Sequence, residues 1–371
     1  MLISTIENSI PSRIRVVQTM SQSTSSFNEA SAARAAGKSN IPLIDLGALI
    51  EDNANPEAAL KAGNNLVEAF RVSGFAHVKN HGIPEKTIES AFQWSEKFFS
   101  LPQSEKDKAP HPREGWWHRG YSGIGREKVS QMVFDAEQIS ELRKIPDFKE
   151  SYEIGREDND HLPNIWVPET SLPGFRSFFN NFYEVCYRLE LHLLRAMALG
   201  MGLDEDFFRS YHVKRDNQIR LLHYPPVEEK LLRAGEVERL GAHSDFGSMT
   251  LLFQDEVGGL EVEDPNEEGR FLPVSSIPGT IVVNIGDFMQ RWSNDTLRST
   301  VHRVRAPPLL LEANEGGDRV TRARYSIPYF IGADQETTVD CVPGCYGPGR
   351  PKKYEPINSR EYIEMRLNAT Y

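Results

Sequence analysis

Ile219-Arg-Leu-Leu-His-Tyr224, Met249-Thr-Leu-Leu-Phe253, Thr280-Ile-Val-Val-Asn-Ile285 and Arg322-Ala-Arg-Tyr-Ser-Ile-Pro-Tyr-Phe-Ile331 are short apolar runs bounded by turn-forming or charged residues. Gly259–Val262, Phe271–Val274 and Thr300–Val304 add three more of the same kind. Short strands at this spacing build a sandwich or a jelly roll, whereas βαβ units would need helical stretches between them. The half of the chain after Asn217 therefore reads as a β structure.

Within that half, His243-Ser-Asp245 precedes one strand, and His302 lies inside Arg298-Ser-Thr-Val-His302-Arg303-Val304. In extended chain, residues i and i+2 point to the same side, so His243 and Asp245 can reach one metal ion while Ser244 faces away. His302 follows Asp245 by 57 positions, enough for several strands to bring it back alongside. Two histidines and one carboxylate are a ligand set that holds ferrous iron on one face and leaves other positions open for oxygen chemistry. A lone His-x-Asp is common by chance. Here it gains weight from Arg324-Tyr-Ser326 downstream, where a charged residue in an otherwise apolar strand needs a buried partner.

The chain has 371 residues, 39% of them hydrophobic and 26% charged, as in ordinary globular proteins. No apolar run approaches the roughly 20 residues that span a bilayer, so no membrane association is expected. A formal charge of −11 argues against nucleic acid as a partner. A small anionic substrate stays open, because one arginine in a dry pocket decides that locally. Cys186, Cys341 and Cys345 make no disulfide framework, and Cys341-Val-Pro-Gly-Cys345 lacks the second pair of a zinc site. Reduced thiols point to the cytosol. Residues 1–40 read as a disordered leader whose Arg13, Arg15, Arg34 and Lys38 leave an organellar address as the minor alternative.

Order is expected from Ile41-Pro-Leu-Ile-Asp-Leu46, a short strand. Apolar periodicity predicts helices over Asn55–Val72, Pro84–Phe99 and Phe175–Gly200, with a strand in Gly74–Pro84 between the first two. Residues 107–170 carry Pro, Gly, Trp and charge without a period and read as a long surface excursion. The charged insertions Val227–Leu240 and Leu309–Thr321 read as solvated loops or lids. The expected organisation is a leader (1–40), an N-terminal domain (41–170), a catalytic domain (171–345) and a C-terminal extension (346–371).

The chain from Ile41 to about Phe330 resembles the isopenicillin-N-synthase-like branch of the iron(II)/2-oxoglutarate-dependent dioxygenases. The resemblance lies in Ile41-Pro-Leu-Ile-Asp45, Gly74-Phe-Ala-His-Val-Lys-Asn-His-Gly-Ile-Pro84, His243-Ser-Asp245, Gly258-Gly-Leu-Glu-Val262, Asn284-Ile-Gly-Asp287, Ser299-Thr-Val-His302-Arg303 and Arg324-Tyr-Ser326. It implies a mainly β, α+β fold, a double-stranded β-helix (jelly roll, cupin-like) core with flanking helices and an N-terminal helical and strand domain. It implies that His243, Asp245 and His302 bind Fe(II), that Arg324 and Ser326 hold the distal carboxylate of 2-oxoglutarate, and that Tyr224 hydrogen-bonds the cosubstrate. Leu222 stands where plant members usually carry an asparagine, and Asn217 is the candidate to supply that contact. The implied cosubstrates are 2-oxoglutarate and O2, with ascorbate as an accessory reductant.

Other residues are read as structural. His77 and His81 belong to the N-terminal domain, His223 should face away from Tyr224, and Asp287 is a turn former. Phe288 and Trp292 read as core. Trp116-Trp117-His118-Arg119 reads as inter-domain packing, with a substrate mouth as the alternative, and Phe330 is a candidate substrate contact. The implied function is oxidation of a small organic molecule in specialised metabolism, by hydroxylation, desaturation or ring closure. An oxidase of the same fold that uses no 2-oxo acid is the alternative, with Arg324 and Ser326 on the substrate's own carboxylate. A metal-free jelly-roll binding protein would be expected to have lost part of the triad, which is complete here.

Overall fold

The computed structural model describes residues 41–50, 55–113, 117–127, 144–305, 311–313 and 319–368. The leader, Trp116 and parts of the Leu309–Thr321 insertion lie outside the described residues. The three expected helices form as α1 (Pro56–Val72), α2 (Glu85–Phe99) and α3 (Phe175–Gly200). Asn55 caps α1, its side-chain oxygen accepting from the Glu57 amide at 2.9 Å, and Pro56 occupies the first turn where no amide donor is needed. Shorter helices follow as α4 (Glu229–Ala234), α5 (Asp287–Trp292) and α6 (Ser359–Asn368).

Sixteen strands assemble around them among the described residues. The large sheet contains β1 (Leu43–Asp45), β2 (Phe75–Lys79), β10 (Ile281–Ile285), β7 (Met249–Gln254), β14 (Arg324–Ile331), β5 (Gln218–Tyr224), β4 (Glu150–Gly155) and β3 (Gly120–Ser122), in that spatial order. A four-stranded sheet runs β6 (Leu240–His243), β11 (His302–Val304), β8 (Leu260–Asp264), β9 (Glu267–Pro273). Two small ribbons pair β12 (Leu311–Ala313) with β13 (Arg319–Thr321), and β15 (Thr338–Val339) with β16 (Ile357–Asn358). All named pairings are antiparallel except β1 with β2. This is the jelly-roll core with flanking helices that the resemblance implies, one of the two architectures, sandwich or jelly roll, that the strand pattern allows.

Alternation along the large sheet separates two environments. Ile219, Leu221, Phe253, Ile327 and Tyr329 enter the main hydrophobic core with α3, where Phe182 meets Phe253 at 5.3 Å and Tyr183 meets Tyr329 at 5.4 Å between ring centroids. Arg220, Leu222, Tyr224, Ser326, Pro328 and Phe330 point the other way, into a cavity shared with the small sheet.

Residues 107–170 depart from the expected surface excursion. They supply β3 and β4 to the large sheet, and every residue of Glu150–Gly155 is buried. Its polar text conceals this because the charges are paired inside: Glu150 with Lys106 at 2.8 Å, and Glu153 with Arg220 at 2.6 Å. Strands from both sides of residue 170 thus share one sheet.

The N-terminal segment reaches the small sheet at Gly74. Its φ of +71° suits glycine, and an added Cβ would stand 2.3 Å from the Arg298 carbonyl oxygen and 2.6 Å from Thr300 Oγ1. Thr300 Oγ1 donates to the Ser73 carbonyl at 2.8 Å, and the Phe75 ring packs edge-on against His302 at 5.5 Å. Gly74→Ala combines a left-handed backbone penalty with overpacking, so a loss of at least about 2 kcal/mol is expected. Chemical denaturation measures it; an unchanged midpoint would mean that the close approach is not rigid.

Candidate active site

A cavity of about 620 Å³ lies between the two sheets, lined from β5, β7 and β14 on one side and β6, β8 and β11 on the other. Antiparallel pairing of β6 with β11 sets His302 directly opposite His243, with their ring centroids 4.3 Å apart. The chain leaves β6 through Ser244 to Asp245, whose carbonyl accepts from the Asp287 amide at 2.8 Å as α5 begins. His243, Asp245 and His302 are buried, and one ligand atom from each lies within 4.8 Å of the others. Both Nε2 atoms face Asp245 Oδ1, at 4.0 Å from His243 and 3.7 Å from His302.

The remaining atoms of the three side chains are already engaged. Nδ1 of His243 bonds the Gly241 carbonyl at 2.9 Å, and Nδ1 of His302 bonds the Thr300 carbonyl at 3.1 Å. With the proton on Nδ1, each Nε2 lone pair is directed inward. Asp245 Oδ2 accepts from Thr250 Oγ1 at 2.6 Å and from Asn284 Nδ2 at 2.7 Å, which leaves Oδ1 to the centre. Burial, reinforced by the adjacent His302, lowers the His243 pKa to about 3, so this imidazole is neutral at ordinary pH. Burial opposes ionisation of Asp245, yet the two imidazoles and the Asn284 and Thr250 bonds outweigh it and hold the carboxyl below its usual range. Two imidazoles and a carboxylate, oriented from behind, are a donor set that fits a divalent transition metal.

Arg324 opens into the same cavity from β14, only 2% exposed. Its Nε donates to the Gly258 carbonyl at 2.7 Å and its Nη1 to Ser326 Oγ at 3.0 Å. The guanidinium lies 4.9 Å over the ring of Tyr224, its cross-strand partner on β5. Leu222 stands opposite Ser326. Asn217 lines the cavity with its amide already engaged: its nitrogen bonds Glu190 at 2.6 Å and Tyr329 at 2.8 Å, and its oxygen accepts from the Gly332 amide at 3.0 Å.

The residues read as structural stand accordingly. His81 Nδ1 accepts from the Ile83 amide, and burial lowers the His77 pKa to about 4. His223 turns away from the cavity to bond Glu150 at 2.7 Å. Phe288 and Trp292 are buried in the core. At Trp117-His118-Arg119, the cavity is lined by His118 and Arg119 rather than by the tryptophan.

Sequence reasoning missed three groups. Thr250 and Asn284 lie on neighbouring strands, where they pair with each other and both reach Asp245. Arg220 shares a strand face with Leu222 and Tyr224, a period-2 relation visible in the sequence. The third is α6. Arg360, Ile363, Glu364 and Leu367 line the cavity, and buried Arg366 pairs with Asp287. Asp287 also accepts from Ser244 Oγ at 2.7 Å, so the C-terminal helix is tied to the residue between two candidate ligands. Asp287 is therefore more than a turn former.

Comparison with known proteins agrees with this architecture. A profile described as non-haem dioxygenase in morphine synthesis N-terminal matches residues 41–169, and the 2OG-Fe(II) oxygenase superfamily profile matches residues 215–333. The chain is 39% identical over 310 residues to the 2-oxoglutarate-dependent dioxygenase gloF of Glarea lozoyensis, covering 83% of this chain and 93% of that protein. It is 40% identical over 309 residues to the proline hydroxylase buaE of Petromyces alliaceus, covering 83% and 92% respectively. The crystal structure of a full-length Neurospora crassa protein in complex with alpha-KG and thymine superposes with a TM-score of 0.79 at 42% identity, covering 89% of this chain and 97% of that one. Among the described residues no helix is long and apolar enough to cross a membrane. The chain belongs to the 2OG-Fe(II) oxygenase superfamily and is a non-haem Fe(II)- and 2-oxoglutarate-dependent dioxygenase.

Proposed function

We propose that His243, Asp245 and His302 are the iron ligands, that Arg324, Ser326 and Tyr224 hold 2-oxoglutarate, and that the enzyme oxidises a small molecule of specialised metabolism in the cytosol. The observation that carries this reading is the convergence of three inward-facing donor atoms in the cavity that also receives Arg324. Iron held there would supply the redox chemistry that couples a 2-oxo acid and dioxygen to oxidation of a substrate C–H bond. The protein supplies orientation. Thr250 and Asn284 fix Asp245, the Gly241 and Thr300 carbonyls fix the imidazoles, and Leu240, Leu260 and Val304 exclude water around them. Arg324, preset by Ser326 and Gly258, offers a planar fork for the distal carboxylate. The cavity volume of about 620 Å³ suits a metabolite-sized ligand. Two relatives point to compounds of that size by their names, a proline hydroxylase and a protein solved with thymine. Residues 41–170 and 171–345 are proposed to work as one unit around the shared sheet, with residues from 346 on closing one wall.

The direct assay is succinate released per dioxygen consumed during substrate turnover. A ratio near one is expected; turnover without succinate would favour the oxidase that uses no 2-oxo acid. His243→Ala should abolish turnover and stoichiometric Fe(II) binding under anaerobic titration while circular dichroism stays native. Retained metal binding would contradict the ligand assignment. Asn284→Ala should weaken metal affinity about ten- to hundred-fold by freeing Asp245, and an unchanged affinity would remove Asn284 from the site. Arg324→Leu should chiefly raise the KM for 2-oxoglutarate; an unaltered KM would count against its role.

A further inference from the structure

Beyond Tyr224, the cavity floor becomes cationic. Arg220 stands four residues along β5 from Tyr224, about 13 Å at the usual strand rise. Its Nε meets Glu153 at 2.6 Å, its Nη2 donates to His118 Nδ1 at 3.1 Å, and its guanidinium lies 5.5 Å over the Phe330 ring. For that bond His118 must be neutral at Nδ1, and burial keeps its pKa well below the ordinary value. Arg220 is thus a guanidinium held in one orientation beside an aromatic surface.

Arg119 is held differently. It is 4% exposed, its Nε donates to the Leu162 carbonyl at 3.2 Å and its Nη1 to the His118 carbonyl at 2.6 Å. Among the described residues no carboxylate lies within ion-pair distance of it. Its guanidinium rests on the backbone of Gly155, where any Cβ would fall 1.9 Å from Nη2. Gly155 pairs with Gln218 and Gln218 with Phe330, so Arg119 covers the same end of the sheet as Phe330. Burial lowers the Arg119 pKa to about 10, which leaves it charged at neutral pH. Both arginines line the cavity, whereas Glu127 and Glu153 do not and lie behind them. Asp216 and Glu364 line the cavity too, but Asp216 is paired with Arg156 at 3.1 Å, and Arg220 is held by both Glu153 and Glu127. Arg119 is the guanidinium without a carboxylate contact, which is costly in a buried setting unless an anion meets it.

We propose that Arg119 and Arg220, beside Phe330, form a carboxylate-recognition site for the substrate, so that the enzyme acts on small organic acids. This rests on the reading that 2-oxoglutarate occupies Arg324 and Ser326, which leaves the second cationic site to the molecule being oxidised. Phe330 offers the apolar surface for its carbon skeleton, and the arginine forks suit a planar carboxylate.

Matched acids and primary amides test this: L-proline and L-prolinamide, benzoate and benzamide, N-acetyl-L-phenylalanine and its amide. Calorimetry measures their binding to the full chain loaded with Mn(II) and saturating 2-oxoglutarate, so turnover is not the readout. At least one acid should bind tenfold or more tightly than its amide. Arg220→Gln and Arg119→Gln should each reduce that preference to threefold or less, and Arg220→Lys should restore part of it. Amides binding as well as acids in every pair, no acid binding at all, or an undiminished preference in both glutamine variants would overturn the proposal. Titration of 2-oxoglutarate alone separates the two readings. Loss of its binding on Arg324→Leu but not on Arg220→Gln upholds the division of sites, and the reverse overturns it.

Discussion

The antiparallel pairing that puts His302 opposite His243 is the constraint on which the site depends. Two imidazoles 4.3 Å apart in a buried, largely apolar setting gain little from each other, and burial keeps His243 neutral. Backbone hydrogen bonds hold them there, so sheet register rather than loop conformation fixes the spacing. The same register delivers the supports: Thr250 on β7 and Asn284 on β10 pair with each other and both reach Asp245. Gly74 and Phe75 then press the N-terminal segment against the strand carrying His302. Residues far apart in the chain thus brace one small volume.

Electrostatics inside the cavity oppose those of the whole molecule. The chain carries a formal charge of −11, yet Arg324, Arg220, Arg119, Lys149 and Arg360 line the cavity against the carboxylates of Asp216, Asp245 and Glu364. The first four cations are immobilised by neighbours: Lys149 by Glu127 at 2.6 Å, Arg324 by Gly258 and Ser326. Fixed, buried cations act on a bound anion more strongly than exposed charges do, because solvent screens them less. The wall opposite is made by α6, joined through Arg366 and Asp287 to Ser244. Any displacement of that helix bears on the segment between His243 and Asp245.

Much of this was legible in the residues. Strands with clear alternation, helices with a 3.6 period and the His-x-Asp pair with a distant histidine all carry local signals, and the elements stand within a few residues of where the pattern puts them. Glu150–Gly155 was not legible, because its carboxylates read as exterior until Lys106 and Arg220 are known to meet them. Asn217 attracted a cosubstrate role through its place near β5, but Glu190 and Tyr329 on other elements claim its amide. Arg366 lies on a short polar helix, and nothing in its local sequence reports the bond to Asp287. In each case the deciding partner lies far away in sequence, and no local periodicity reports it.

X-ray absorption of the iron-loaded protein under anaerobic conditions tests the central geometry most directly. The account predicts imidazole scattering from two histidines, falling to one in His302→Ala, and a first shell that changes when 2-oxoglutarate is added. A spectrum with no imidazole scattering, or one unaffected by replacing His302, would contradict it.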